Sequence, residues 1–276
     1  MVKERNIGID AIRGAAAFMV VFTHIIQLYG SGSNNIVNNM FLALQMPLFM
    51  MVSGYTSKFG KPIETSTQLL SQIGKRSRLL LLPWLSWSLL VYITYKSDTP
   101  FFEHISNVAY HMEGAYWFLF SLWCIDVVFC LAQFVNNRIF LKGKNIIGIL
   151  IPFYLCIFVY AMIGYFCGFS FLGLKYTLYY QLFFVLGFLL TKFDLKKMDD
   201  SFVEILMMVS AIIFFCITCK TNIFELPDSP YSTGVRIFVS MIGCLVVFYS
   251  FNKIKWNPDN RITKFLQWGR LSENIM

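Results

Sequence analysis

Apolar residues run in long, nearly charge-free stretches along this chain, at positions 14–57, 79–95, 114–137, 145–174, 176–191, 205–219 and 237–252, with Asp126 the one interruption in the third. Several approach the roughly 20 residues that a helix needs to cross the hydrocarbon of a bilayer. The first stretch is too long for one helix and is broken at Gly30, Ser31, Gly32, Ser33, Asn34 and Asn35, residues that favour turns, so it divides into two helices joined outside the membrane. The pattern predicts an all-α fold, a polytopic integral membrane helical bundle of about eight transmembrane helices. Ahead of the third span, residues 65–78 end in Lys75, Arg76, Ser77 and Arg78, which predicts a basic cytoplasmic helix running into that span. The longest outer loop, about residues 96–114, is too short to hold a core of its own, so residues 1–276 read as a single membrane-embedded domain.

Composition agrees with a lipid solvent. Hydrophobic residues make up 57% of the 276 positions and charged residues only 14%, too little polar surface to coat a water-facing globule. A net charge of +8 would suggest nucleic acid or an acidic partner in a soluble protein, but here the loops sort it by side. All of the 23 Lys and Arg except Lys96, Lys175, Lys220 and Arg236 fall on the side of Lys3, and the positive-inside rule then puts both ends of the chain in the cytoplasm. The charge needs no nucleic acid to explain it. The first helix has a basic flank but no small-residue cleavage site and seven further spans after it, so it reads as a retained helix rather than a secretory signal. The seven cysteines are mostly scattered through apolar spans; the close pair Cys216 and Cys219 reads as core packing, and no ligand cluster predicts a metal. His104 and His111, with Glu103 and Glu113, read as a solvated outer loop.

The first helix carries the strongest chemical signal, because Asp10, Arg13 and His24 are ionisable groups in or beside a segment of Ala, Val, Phe and Ile. Arg13 and His24 are eleven positions apart, so on a helix they differ by about 20° around the axis and roughly 16 Å along it. Asp10 joins that face at i,i+3 from Arg13. Two readings stand side by side: Arg13 as a snorkelling anchor paired with Asp10 and His24 as a wet helix end, or His24 as a buried base suited to take a proton from a hydroxyl near neutral pH. Ser53 beside Gly54 reads as a nucleophile or as a small-residue packing position. Asp126, near the midplane of its helix, costs roughly 2.5–3.5 kcal/mol in lipid and predicts a partner, with His24 and Arg13 the candidates by depth. Gln45 and Trp117 read as core or interfacial-belt residues.

Arg5, Asn6, Ile7, Gly8, Ile9, Asp10, Ala11, Ile12, Arg13 and Gly14, followed by His24, resemble the opening signature of the membrane acyltransferase-3 family, in which an Arg or Lys precedes a functional His by this interval. The run from Gln45 through Pro47 and Phe49 to Ser53, Gly54 and Tyr55 resembles the family's second-helix segment. Lys75, Arg76, Ser77 and Arg78 with Pro83 resemble its basic loop before the third helix, and Trp117, Phe118 and Leu119 a further short motif. Branches resembling fucose acetylases have a histidine where this chain has Gln45. Residues 268–276 resemble the lead-in to the family's final helix, which implies a chain lacking that helix.

The resemblance implies an O-acyltransferase of a bacterial inner membrane. It would carry an acyl group, commonly acetyl from acetyl-coenzyme A, to a hydroxyl of an envelope polysaccharide or its lipid-linked precursor. On that reading His24 is the base or proton shuttle, Arg13 with Asp10 supports it, Lys75, Arg76 and Arg78 face the donor's phosphates, and Ser53, Asp126 and Trp117 support substrate or structure. The ionisable groups alone fit equally a carrier or flippase for an envelope glycolipid in which they line a pathway without covalent chemistry, and the abrupt end fits a truncated, inactive acyltransferase.

Overall fold

A computed structural model of the chain describes residues 7–29, 35–60, 62–94, 100–111, 117–139, 146–168, 171–192, 201–257, 260–261 and 263. Among these it is helical throughout, with no strand: α1 (Ile7–Tyr29), α2 (Ile36–Ser57), α3 (Ser66–Thr94), α4 (Phe101–His111), α5 (Trp117–Ile139), α6 (Ile146–Cys167), a 3-10 turn (Phe171–Gly173), α7 (Leu174–Leu190), α8 (Ser201–Lys220) and α9 (Pro230–Lys253). Seven of the helices are long and apolar enough to cross a membrane. The eighth expected span corresponds to α7, which at 17 residues reaches about 25 Å. The polytopic helical bundle is therefore the fold. Residues 30–34, which carry most of the expected first turn, lie outside the described residues, as do Glu113 and 268–276.

Local chemistry starts the helices where the sequence changes character. The Asn35 side chain accepts from the Val37 amide and caps α2. Thr65 and Gln68 form a reciprocal capping box at the head of α3: the Gln68 amide donates to Thr65 Oγ1 at 3.2 Å, and Gln68 Oε1 accepts from the Thr65 amide at 3.1 Å. Ser229 caps α9 ahead of Pro230, whose missing N–H is no loss in a first turn. Because the α3 cap lies ahead of the basic cluster, residues 66–94 form one unbroken helix, and Lys75, Arg76 and Arg78 ride on its first half rather than in a loop.

The chain divides into two compact units, Met1–Lys58 with Phe183–Ile275, and Phe59–Leu182, the boundary falling within α7. In the first unit Ile12 and Ala16 of α1, Leu44, Leu48 and Met51 of α2, Phe214 of α8 and Val239, Cys244 and Phe248 of α9 build the core. Here α2 and the second half of α7 meet backbone to backbone. A Cβ on Gly54 would lie 1.9 Å from the Phe184 carbonyl oxygen, and one on Gly187 would lie 1.8 Å from that of Met51. This is the small-residue crossing typical of helices in lipid. Lys58 Nζ, just past the end of α2, donates to the Thr191 carbonyl at 2.6 Å and caps α7.

In the second unit α3 and α5 form a long seam, with Ile63, Leu69 and Cys130 clustered toward one end and Trp84 against Phe120 toward the other. The turn from α6 to α7 holds Leu172 at φ +50°, a left-handed conformation costly for a branched side chain, and Tyr160 donates to its carbonyl at 2.6 Å. The expected solvated loop around His104 and His111 is instead the helix α4. Phe101 and Ile105 recur at helical spacing, and the His104 ring lies 5.2 Å from that of Tyr92. The charges of Glu103 and Glu113 disguised that period in the sequence.

Candidate active site

Arg13 of α1 is built against α2, inside the first unit. Asp10 is buried and Arg13 half-buried, one turn apart. Arg13 Nη2 donates to Thr56 Oγ1 at 3.2 Å, while the Thr56 hydroxyl donates to the Val52 carbonyl at 2.9 Å, so its oxygen both gives and receives. Eleven residues further along the same helix, His24 is exposed and makes no hydrogen bond among the described residues. Its rotation follows from its neighbour: Thr23 is 1% exposed, and its hydroxyl lies 2.8 Å from Gln45 Oε1. With Thr23 turned inward, the next residue stands 100° around the helix, away from the α1–α2 contact. The Thr23–Gln45 pair is the feature of this region that sequence reasoning missed. Its signal was available, because an amide and a hydroxyl in apolar spans each need a partner.

Ser53 is half-buried on α2, and the neighbouring Gly54 carries the close crossing with α7.

A second polar group lies in the other unit. Arg76 Nη1 is 3.6 Å from Asp126 Oδ2, the arginine side chain 38% exposed and the aspartate side chain 4%. Within this unit, the partner of Asp126 is therefore Arg76. The expected basic helix does run into the third span, and Arg76 is a residue of the helix that packs on α5, a neighbour that depth along a helix could not name. One turn before Asp126, Trp123 Nε1 donates to Ser77 Oγ at 2.9 Å, so α5 grips two consecutive residues of α3. Lys75 and Arg78 are exposed on either side. Trp117 stacks on both Tyr176 and Tyr180, with centroids at 4.4 and 5.0 Å, and packs against the Trp84–Phe120 cluster, so it is a core residue of this unit. Among the described residues, no three His, Cys, Asp or Glu side chains gather as a metal site would require.

The structure thus sorts the candidates into two sets: Asp10, Arg13, His24 and Ser53 in the first unit, and Lys75, Arg76, Arg78, Trp117 and Asp126 in the second.

Comparison with known proteins bears on which transfer this is. The chain is 30% identical over 149 residues to nodulation protein NolL of Sinorhizobium fredii, covering 50% of this chain and 37% of that protein. It is 27% identical over 144 residues to nodulation protein NolL of Mesorhizobium japonicum, covering 49% and 37%. The matched part thus spans well under half the length of these relatives. No solved structure matches significantly. The acyltransferase-3 family model, described as an acyltransferase domain, matches residues 6–268, nearly the whole chain, and the chain belongs to that family.

Proposed function

We propose that this chain is a membrane O-acyltransferase that transfers acetyl from acetyl-coenzyme A to a hydroxyl of an envelope polysaccharide or its lipid-linked precursor, in a bacterial inner membrane with the N-terminus cytoplasmic. The observation that carries the reading is the family match over residues 6–268 on a chain built of membrane-spanning helices. Three cationic residues within four positions of α3, two of them exposed, fit a donor rich in phosphate. The donor supplies an activated acyl thioester. His24 accepts the proton of the acceptor hydroxyl at a ring nitrogen as that oxygen bonds to the acyl carbon, and passes it to the sulfur whose bond to the acyl carbon breaks. Arg13, held by Thr56, keeps positive charge about three turns earlier on the same helix.

Mass spectrometry of the surface polysaccharide tests this in a deletion strain complemented with wild type, His24→Ala or empty vector. The acetyl increment is expected with wild type alone. An increment of equal size with His24→Ala removes the histidine from the chemistry, and identical spectra in all three with verified expression remove the activity.

A further inference from the structure

Of the three cations proposed to meet the donor, Arg76 is distinguished by where it sits. Asp126 is almost fully buried within an apolar span, where a carboxylate is stable only if paired, and Arg76 pairs it at 3.6 Å. Trp123, one turn away on α5, holds Ser77 through its indole N–H. Two adjacent residues of α3 therefore face α5, Ser77 through a hydrogen bond and Arg76 through an ion pair, while Lys75 and Arg78 stand exposed. A guanidinium carries five N–H donors in a rigid plane. With the Nη1 side given to Asp126, the remaining donors of Arg76 have no partner among the described residues, and more than a third of the side chain is exposed. An arginine fixed on one side by a buried acid and open on the other is preorganised for a second oxyanion, and phosphate matches that fork in two points. A lysine ammonium is a point charge with no rigid fork, and one drawn to the acid cannot present a second fixed pair of donors.

We infer that Asp126 is a positioning residue that orients Arg76 toward a phosphate group of the acyl donor, a statement that rests on the donor reading above. Asp126 touches no reacting atom; it acts through Arg76.

The test is equilibrium binding of coenzyme A to the purified full chain in a neutral, phosphate-free detergent, with thermal unfolding recorded on every variant. Asp126→Asn is expected to weaken coenzyme A about tenfold, a loss of the size of one charge-assisted contact. Asp126→Glu should recover most of that loss. Arg76→Lys keeps an ion pair but loses the fork, so it should unfold near the wild-type temperature and still bind about as weakly as Asp126→Asn. Wild-type protein that binds no coenzyme A overturns the donor reading, and this inference with it. Wild-type affinity in Asp126→Asn overturns the inference alone, as it would if the arginine served a lipid headgroup or the pair only joined α3 to α5. Should Asp126→Asn fail to fold, Arg76→Lys decides, because wild-type affinity there contradicts a role for the fork.

Discussion

A hydroxyl in the second half of α1 sets the orientation of the histidine beside it. Thr23 is held inward by Gln45, a contact between two groups that have no water to fall back on in an apolar span. Thr23→Val leaves the Gln45 carboxamide without this partner and is expected to lower stability by about 1 kcal/mol. Thr23→Val with Gln45→Leu removes both polar groups and should regain most of the loss. Thermal unfolding in detergent reads both, and a double variant as unstable as the sum of its single changes contradicts the pair. The sequence made Arg13 and His24 legible because ionisable groups stand out in a run of Ala, Val and Phe. For Thr23 it made legible only the need of a buried hydroxyl for a partner, since which residue lies across the helix interface cannot be counted from sequence. The same limit hid Arg76 as the partner of Asp126: depth along a helix can be counted from sequence, but which helix lies alongside cannot.

At the level of elements, spans were readable from charge-free length alone, and each of the eight expected spans contains a helix among the described residues. What sequence could not supply was the distance at which helices approach. The crossing of α2 and α7 leaves no room for a methyl group at Gly54 or Gly187, and the obstructing atoms are backbone, which cannot rotate away. Gly54→Ala and Gly187→Ala should each lower stability by roughly 1–3 kcal/mol through forced separation of the helices. Gly74→Ala, whose added Cβ meets nothing within 4 Å, serves as the neutral comparison in the same unfolding experiment. Equal stability of all three variants contradicts the close crossing. The misreading of α4 as a loop has a related cause, because an amphipathic helix of 11 residues carrying Glu103 lacks the apolar length that marks a span.

For the whole molecule, the distribution of Lys and Arg predicts a path through the membrane that depends on α7. If this 17-residue helix crosses, residues 142–144, 192–197 and 253–261 share one side with the N-terminus, and Lys175 lies opposite. A reporter active only in the cytoplasm, fused after Thr191, should then be active, and one fused after Gly168 silent. Activity after both positions contradicts a crossing by α7. Seven helices are long and apolar enough to cross a membrane and the chain belongs to the acyltransferase family; the central claim proposed on them is that His24 serves acyl transfer there. The most direct measurement follows radiolabelled acetyl from acetyl-coenzyme A into envelope carbohydrate in inverted membrane vesicles carrying wild type or His24→Ala at matched expression. Label in carbohydrate with wild type, reduced by at least about a hundredfold with His24→Ala, is the predicted result for loss of a general base. Equal labelling by the two proteins, or none by the wild type with a competent acceptor present, contradicts it.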